Sequence, residues 1–109
     1  MKRHFFYILL SLIDRDRHGS DIARDVNELT KGDLKLWPVT LYGSLQELVE
    51  QGLIEPLTDS GRHPSGESER RRYFRITKAG RRALEHETRR LAGVVDLAER
   101  RLLRPREAR

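Results

Sequence analysis

The residues with the most chemical potential in this chain are cationic. Arg70, Arg71, Arg72, Arg75, Lys78, Arg81 and Arg82 follow one another with no acidic residue anywhere in positions 70–82, and Arg62 and His63 lie a few positions ahead. Guanidinium groups are planar, permanently charged donors that match phosphate oxygens. An arginine at a loop tip can also enter a narrow minor groove, where negative potential is enhanced. Glu67 and Glu69 lie in the same segment and oppose phosphate, which leaves Arg62 and His63 as the contacts at the tip. Side chains alternate along a strand, so Arg70 and Arg72 point away from Arg71. The bland alternative for the whole patch is a solvated basic face.

A second constellation is uncharged. Pro38, Thr40, Tyr42, Gly43 and Ser44 fall within seven positions. Proline suits the first turn of a helix, where its missing N–H is not needed. A helix start presents free N–H groups and partial positive charge, which can hold a phosphate. Thr40 and Ser44 add hydroxyls and Tyr42 a phenol, donors of the right size for phosphates and base edges. The alternatives are that Thr40 only caps the helix and that Tyr42 only packs in the core. Trp37, the single tryptophan, is either a core residue bridging to this helix or a flat platform for a ligand or sugar–phosphate.

Other chemistries find no support. His4, His18, His63 and His86 have no metal-ligand spacing, and the chain has no cysteine. There is no nucleophile–base–orienter set, P-loop or glycine-rich phosphate loop. The expectation is no metal, no cofactor and no enzymatic activity.

The elements that must position these groups can be read from periodicity. At 109 residues the chain allows one domain, and its formal net charge of +5 favours polyanionic partners. Residues 2–13 form an apolar first helix that must be buried on more than one side. They resemble a signal peptide but lack a small-residue cleavage site, and they are too short to span a bilayer. The reading is therefore a helix buried by protein, in a cytoplasmic chain without a membrane partner. Residues 14–19 read as a polar turn, and residues 21–30 as a second helix capped by Gly19 or Ser20. Residues 34–37 alternate and predict a short strand.

A third helix follows from Pro38, stopped by Gly52, with Leu41, Leu45, Leu48 and Val49 inward and Thr40, Gly43, Ser44 and Glu47 outward. Residues 53–58 predict an edge strand, because Pro56 interrupts them. Residues 59–69 predict an exposed loop and 70–76 a second strand, which together make a hairpin. Thr77 caps a last helix that runs to about Leu103 and is ended by Pro105. Leu84, Leu91, Val94, Val95, Ala98 and Leu102 form its apolar stripe. Roughly 25 residues at 1.5 Å each give a helix of roughly 38 Å, more than this domain can cover. Its distal half is expected to pack on a second copy of the chain.

The order is helix, helix, short strand, helix, strand, loop, strand, long helix. The fold class is mainly α with a small β-hairpin wing: a winged helix-turn-helix over residues 1–80, a dimerisation helix over 81–104 and a tail over 105–109.

Several stretches in this order resemble the PadR family of bacterial transcriptional regulators. They are the apolar first helix before Arg17-His18-Gly19-Ser20-Asp21-Ile22, then Pro38-Val39-Thr40-Leu41-Tyr42-Gly43-Ser44-Leu45, then Glu50-Gln51-Gly52-Leu53-Ile54, and Arg71-Arg72-Tyr73-Phe74-Arg75-Ile76-Thr77-Lys78-Ala79-Gly80. The single last helix looks like the short subfamily. Val39 stands where the family commonly has Gly, and Trp37 where it has Gly or Ser. The resemblance implies a homodimeric repressor on a near-palindromic double-stranded DNA operator, which some members of the family release when a small hydrophobic effector binds. The first and last helices are expected to meet across the dimer, with Val94, Ala98 and Leu102 continuing the interface; the contact is either a dry, fully packed interface or the place of an effector pocket lined by Phe5, Phe6, Leu9, Leu91 and Val95. The alternative function is a winged-helix module that binds a protein partner without specific DNA binding.

Overall fold

The computed structural model describes residues 1–57 and 72–107. In chain order the elements are α1 (Arg3–Ser11), β1 (Arg17–His18), α2 (Gly19–Leu29), α3 (Pro38–Glu50), β2 (Ile54–Pro56), β3 (Tyr73–Ile76) and α4 (Lys78–Leu102). The chain is mostly helical, with one small antiparallel sheet of order β1-β3-β2. No described helix is long and apolar enough to cross a membrane.

The apolar periodicities converge on one core. Phe5, Ile8, Leu9 and Leu12 enter from α1 and its end, Ile22 and Val26 from α2, and Leu41, Leu45 and Leu48 from α3. Leu36, Ile54, Phe74 and Leu84 close it. Burying each large apolar side chain contributes about 1.5–3 kcal/mol before chain entropy is counted. The inward face read for α3 is therefore correct in its three leucines, while Val49 is half-buried.

Two expectations fail here. Residues 14–19 are not simply a turn: Arg17 and His18 form β1, both buried, and pair with Phe74 and Tyr73 of β3. Two residues are too few to show alternation, so only the partner strand reveals them. Residues 34–37 form no strand. Lys31 (φ 52°) and Gly32 (φ 83°) turn the chain out of α2, and Thr30 Oγ1 accepts from Leu34 N–H at 3.0 Å. Leu36 then tucks into the core and Trp37 points out.

The caps differ in detail as well. α2 is capped by His18 rather than Gly19 or Ser20, its Nδ1 accepting from the Asp21 N–H at 3.3 Å. α3 ends at Glu50 with Gln51 as its C-cap, and Gly52 follows with a φ of +74°, the left-handed geometry expected after a last turn. Pro56 lies in β2, at the edge of the sheet, where its missing donor breaks no central ladder. Thr77 caps α4 as expected, accepting from the Gly80 N–H at 3.0 Å, and donates to Gly52 O at 2.7 Å.

Among the described glycines, Gly80 sits in the tightest surroundings. A Cβ there would lie 2.0 Å from the Leu53 carbonyl oxygen, so the first turn of α4 can rest on the chain entering β2 only without a side chain. Gly80→Ala must push backbone from backbone. It is expected to cost about 2–3 kcal/mol and to lower Tm by roughly 10 °C or more, read by thermal unfolding.

Candidate nucleic-acid interface

The start of α3 is uncapped. Trp37 is the N-cap residue in an extended conformation, without a side-chain hydrogen bond to the helix, and Pro38 is the first helical residue. The first intrahelical bond runs from Leu41 N–H to Trp37 O at 2.8 Å. The amides of Val39 and Thr40 therefore have no intrahelical acceptor, as at any helix start. Pro38, Thr40, Tyr42 and Gly43 are exposed around them, Tyr42 at 54%.

Ser44 is not on this surface. It is only 5% exposed, on the inward side with Leu41, Leu45 and Leu48, and its hydroxyl donates to Thr40 O at 2.7 Å. Its hydrogen bond is spent on the preceding turn. Glu47, also expected outward, is half-buried and held by Lys2, the N-cap residue of α1, at 3.5 Å and by Gln51 at 3.3 Å. Thr40 and Gly43 of the expected outward face are exposed, and the outward stripe is completed by Val39, Tyr42, Gln46 and Glu50, which are also exposed and spaced at helical intervals. Trp37 is 69% exposed and Val39 88% exposed, so the core reading of Trp37 is overturned.

Tyr42 is seated against α2 although it is exposed. A Cβ on Gly19 would lie 3.0 Å from its Cε1 and Oη, so the phenol ring rests against the bare backbone that opens α2. The same ring joins Leu45, Gln46, Val49, Glu50, Pro56, Arg72 and Phe74 around a groove of about 540 Å³ between α3 and the strands. Tyr42 and Arg72 thus share one groove.

The cations divide into two groups. Arg72, Lys78, Arg81 and Arg82 are exposed. Arg75 is engaged: its Nη2 and Nε meet the Asp16 carboxylate at 3.1 and 3.4 Å, and the hydrogen bond and charge of Asp16 push its pKa up. Arg62, His63, Arg70 and Arg71 lie outside the described residues.

At the far side of the domain, α1 packs on the proximal part of α4 of its own chain. Phe5 and Leu9 are spent in the core at 4% and 0% exposure, and neither lines the recess between α1 and α4. Phe6 keeps partial exposure and joins Met1, Arg3, Tyr7, Glu87, Arg90 and Leu91 around a recess of about 320 Å³. Glu87 accepts two hydrogen bonds from Arg90, at 2.9 and 2.7 Å, which hold its pKa below the usual carboxylate range. Beyond this recess Val94, Val95, Ala98 and Leu102 are exposed.

Sequence reasoning missed Val39 and Gln46 as surface groups, and His18 as a cap. The one-residue offset of the outward stripe has no sequence signal, because an inward serine between leucines looks polar in a periodicity count.

The sequence model of the transcriptional regulator PadR-like family matches residues 8–86. A curated relative, an uncharacterised protein of Lysinibacillus sphaericus, is 27% identical over 91% of this chain and 88% of its own. A PadR family transcription regulator from Clostridium difficile R20291 superposes with a TM-score of 0.79 at 23% identity, over 93% of this chain and 99% of that one. Bacillus subtilis PadR in complex with operator DNA gives a TM-score of 0.64 at 17% identity, over 99% of this chain and 51% of that one.

Gly19→Ala tests the seating of Tyr42. The ring is the far end of a half-exposed side chain and can move aside, so Tm should change by no more than a few degrees. The Tyr42 ring resonances should shift in an NMR spectrum, and affinity for duplex DNA should fall several-fold.

Proposed function

The chain belongs to the PadR-like family of transcriptional regulators, and on that premise we propose that it is a sequence-specific DNA-binding repressor acting as a homodimer. The observation that carries this reading is the uncapped start of α3. Its amides and the exposed Thr40, Tyr42 and Gly43 lie on an exposed helix face that joins the groove of Arg72. Phosphate held by such groups fixes the helix on a duplex, and the outward stripe is then free to meet base edges. Arg62, His63, Arg70 and Arg71 belong to the same proposal as the wing's contacts with the backbone or minor groove. The operator-bound Bacillus subtilis PadR supports a DNA partner.

Dimerisation is supported by α4. Leu91, Val94, Val95, Leu97 and Leu102 along its distal half, and Leu103 at its C-cap, are 37–85% exposed. An apolar stripe of this length is stable in water when it meets a second copy. Two-fold symmetry would place two α3 helices on half-sites about one helical turn apart. The recess between Phe6 and Leu91 lies at the base of the same stripe, and we assign the small hydrophobic effector to it. An effector there would change the separation of the two α3 helices.

One set of titrations tests the reading. Trp37, the chain's only tryptophan, reports binding by its fluorescence. A duplex from the protein's own promoter should bind more tightly than random duplex at moderate salt, with affinity falling linearly on a log–log plot against salt. Arg72→Ala should weaken all duplexes alike and reduce that slope by about one. Leu91→Glu with Val95→Glu should sediment as a monomer and lose specific affinity. Equal affinity for promoter and random duplex contradicts the proposal. Co-purification of a stable protein partner without DNA affinity would favour the interaction-module alternative.

A further inference from the structure

The outward stripe of α3 has an uneven chemistry. At its start Val39 is 88% exposed, with Trp37 ahead of it at 69% and Tyr42 one turn on at 54%. These are neighbours on one helix end, not scattered apolar residues, and an exposed apolar cluster marks a contact surface. Gly43, four residues after Val39, has nothing within 4 Å of where a Cβ would be. The stripe is therefore bare at its centre and can lie close against a flat partner. Two turns beyond Val39 comes Gln46, also exposed. Among the described residues its neighbours Glu47 and Gln51 are hydrogen-bonded to each other.

The partner that fits is the major-groove floor of an A·T-containing half-site. Valine has no donor or acceptor, so the feature it can recognise on a base edge is the thymine 5-methyl group. Glutamine presents one donor and one acceptor side by side, the pattern that matches adenine N7 and N6. Seven residues at 1.5 Å separate the two side chains by roughly 10.5 Å along the helix, which is about three base-pair steps at 3.4 Å. The net charge of +5 is complementary to the duplex that carries these bases.

We propose that Val39 and Gln46 are specificity-determining residues: Val39 packs against a thymine methyl group and Gln46 pairs with an adenine about three base pairs away. The inference rests on the DNA-binding reading, and deepens it by naming the bases.

The test uses the full chain and the tightest duplex selected from a randomised pool. Each thymine of that duplex is replaced in turn by uracil, which lacks only the methyl group. Burying one methyl corresponds to about fourfold in affinity. Wild-type protein should therefore lose about fourfold at one thymine per half-site and nothing at the others. Val39→Ser, at a position too exposed to disturb the fold, should bind thymine and uracil duplexes equally. Gln46→Ala should lower affinity about tenfold for the selected duplex and accept any base at an adenine about three pairs from that thymine. Uracil substitution without effect anywhere, or an effect that persists in Val39→Ser, overturns the inference while specific DNA binding stands. A pool from which no duplex is enriched overturns the DNA-binding reading and the inference with it.

Discussion

The arrangement depends on one buried charge. Arg17 has only 9% of its side chain exposed, and a guanidinium so placed must be answered on all sides or it costs several kcal/mol. Its Nε donates to Ser11 O at 2.6 Å, which closes the C-terminal end of α1. Its Nη2 lies 3.6 Å from both Asp14 and Asp25, the second of these on α2. Its backbone pairs with Phe74 of β3. One residue thus joins the end of the first helix, the body of the second and the central strand of the sheet. His18 beside it caps α2 and meets the Tyr73 ring edge-on, with centroids 5.4 Å apart.

What this seam positions is α3. With α2 started at Gly19, the backbone there is bare and faces α3, and Tyr42 rests on it. The leucines of α3 fill the space left between α1, α2 and the strands, which fixes the rotation of the helix about its axis. That rotation decides which residues can act. Ser44 turns inward and closes on Thr40, while Val39, Gly43 and Gln46 turn outward. The chemistry of the surface follows from a packing choice made on the opposite side of the helix.

Most of the fold was legible because it is written in periodicity and caps. The three leucines of α3, the glycine after it, the threonine that opens α4 and the edge position of Pro56 each follow from a local rule. What was not legible depends on partners distant in sequence. β1 exists because β3 pairs with it, more than fifty residues away. Trp37 is exposed because Leu36 takes the core position, a choice between neighbours that composition does not decide. The rotation of α3 by one position moved Ser44 and Glu47 off the candidate surface, since a buried serine satisfied by its own helix has no apolar signature. An all-apolar helix needs cover on several sides, and α2 and α4 of the same chain provide much of it, so Phe5 and Leu9 belong to the core rather than to an interface.

Hydroxyl-radical footprinting of the protein's own promoter tests most directly whether the outward face of α3 reads DNA as a symmetric pair. Two protected patches, centred about one helical turn apart and flanking a near-palindrome, are the predicted result. Protection spread evenly along the duplex, or none at concentrations that saturate the protein, would contradict it.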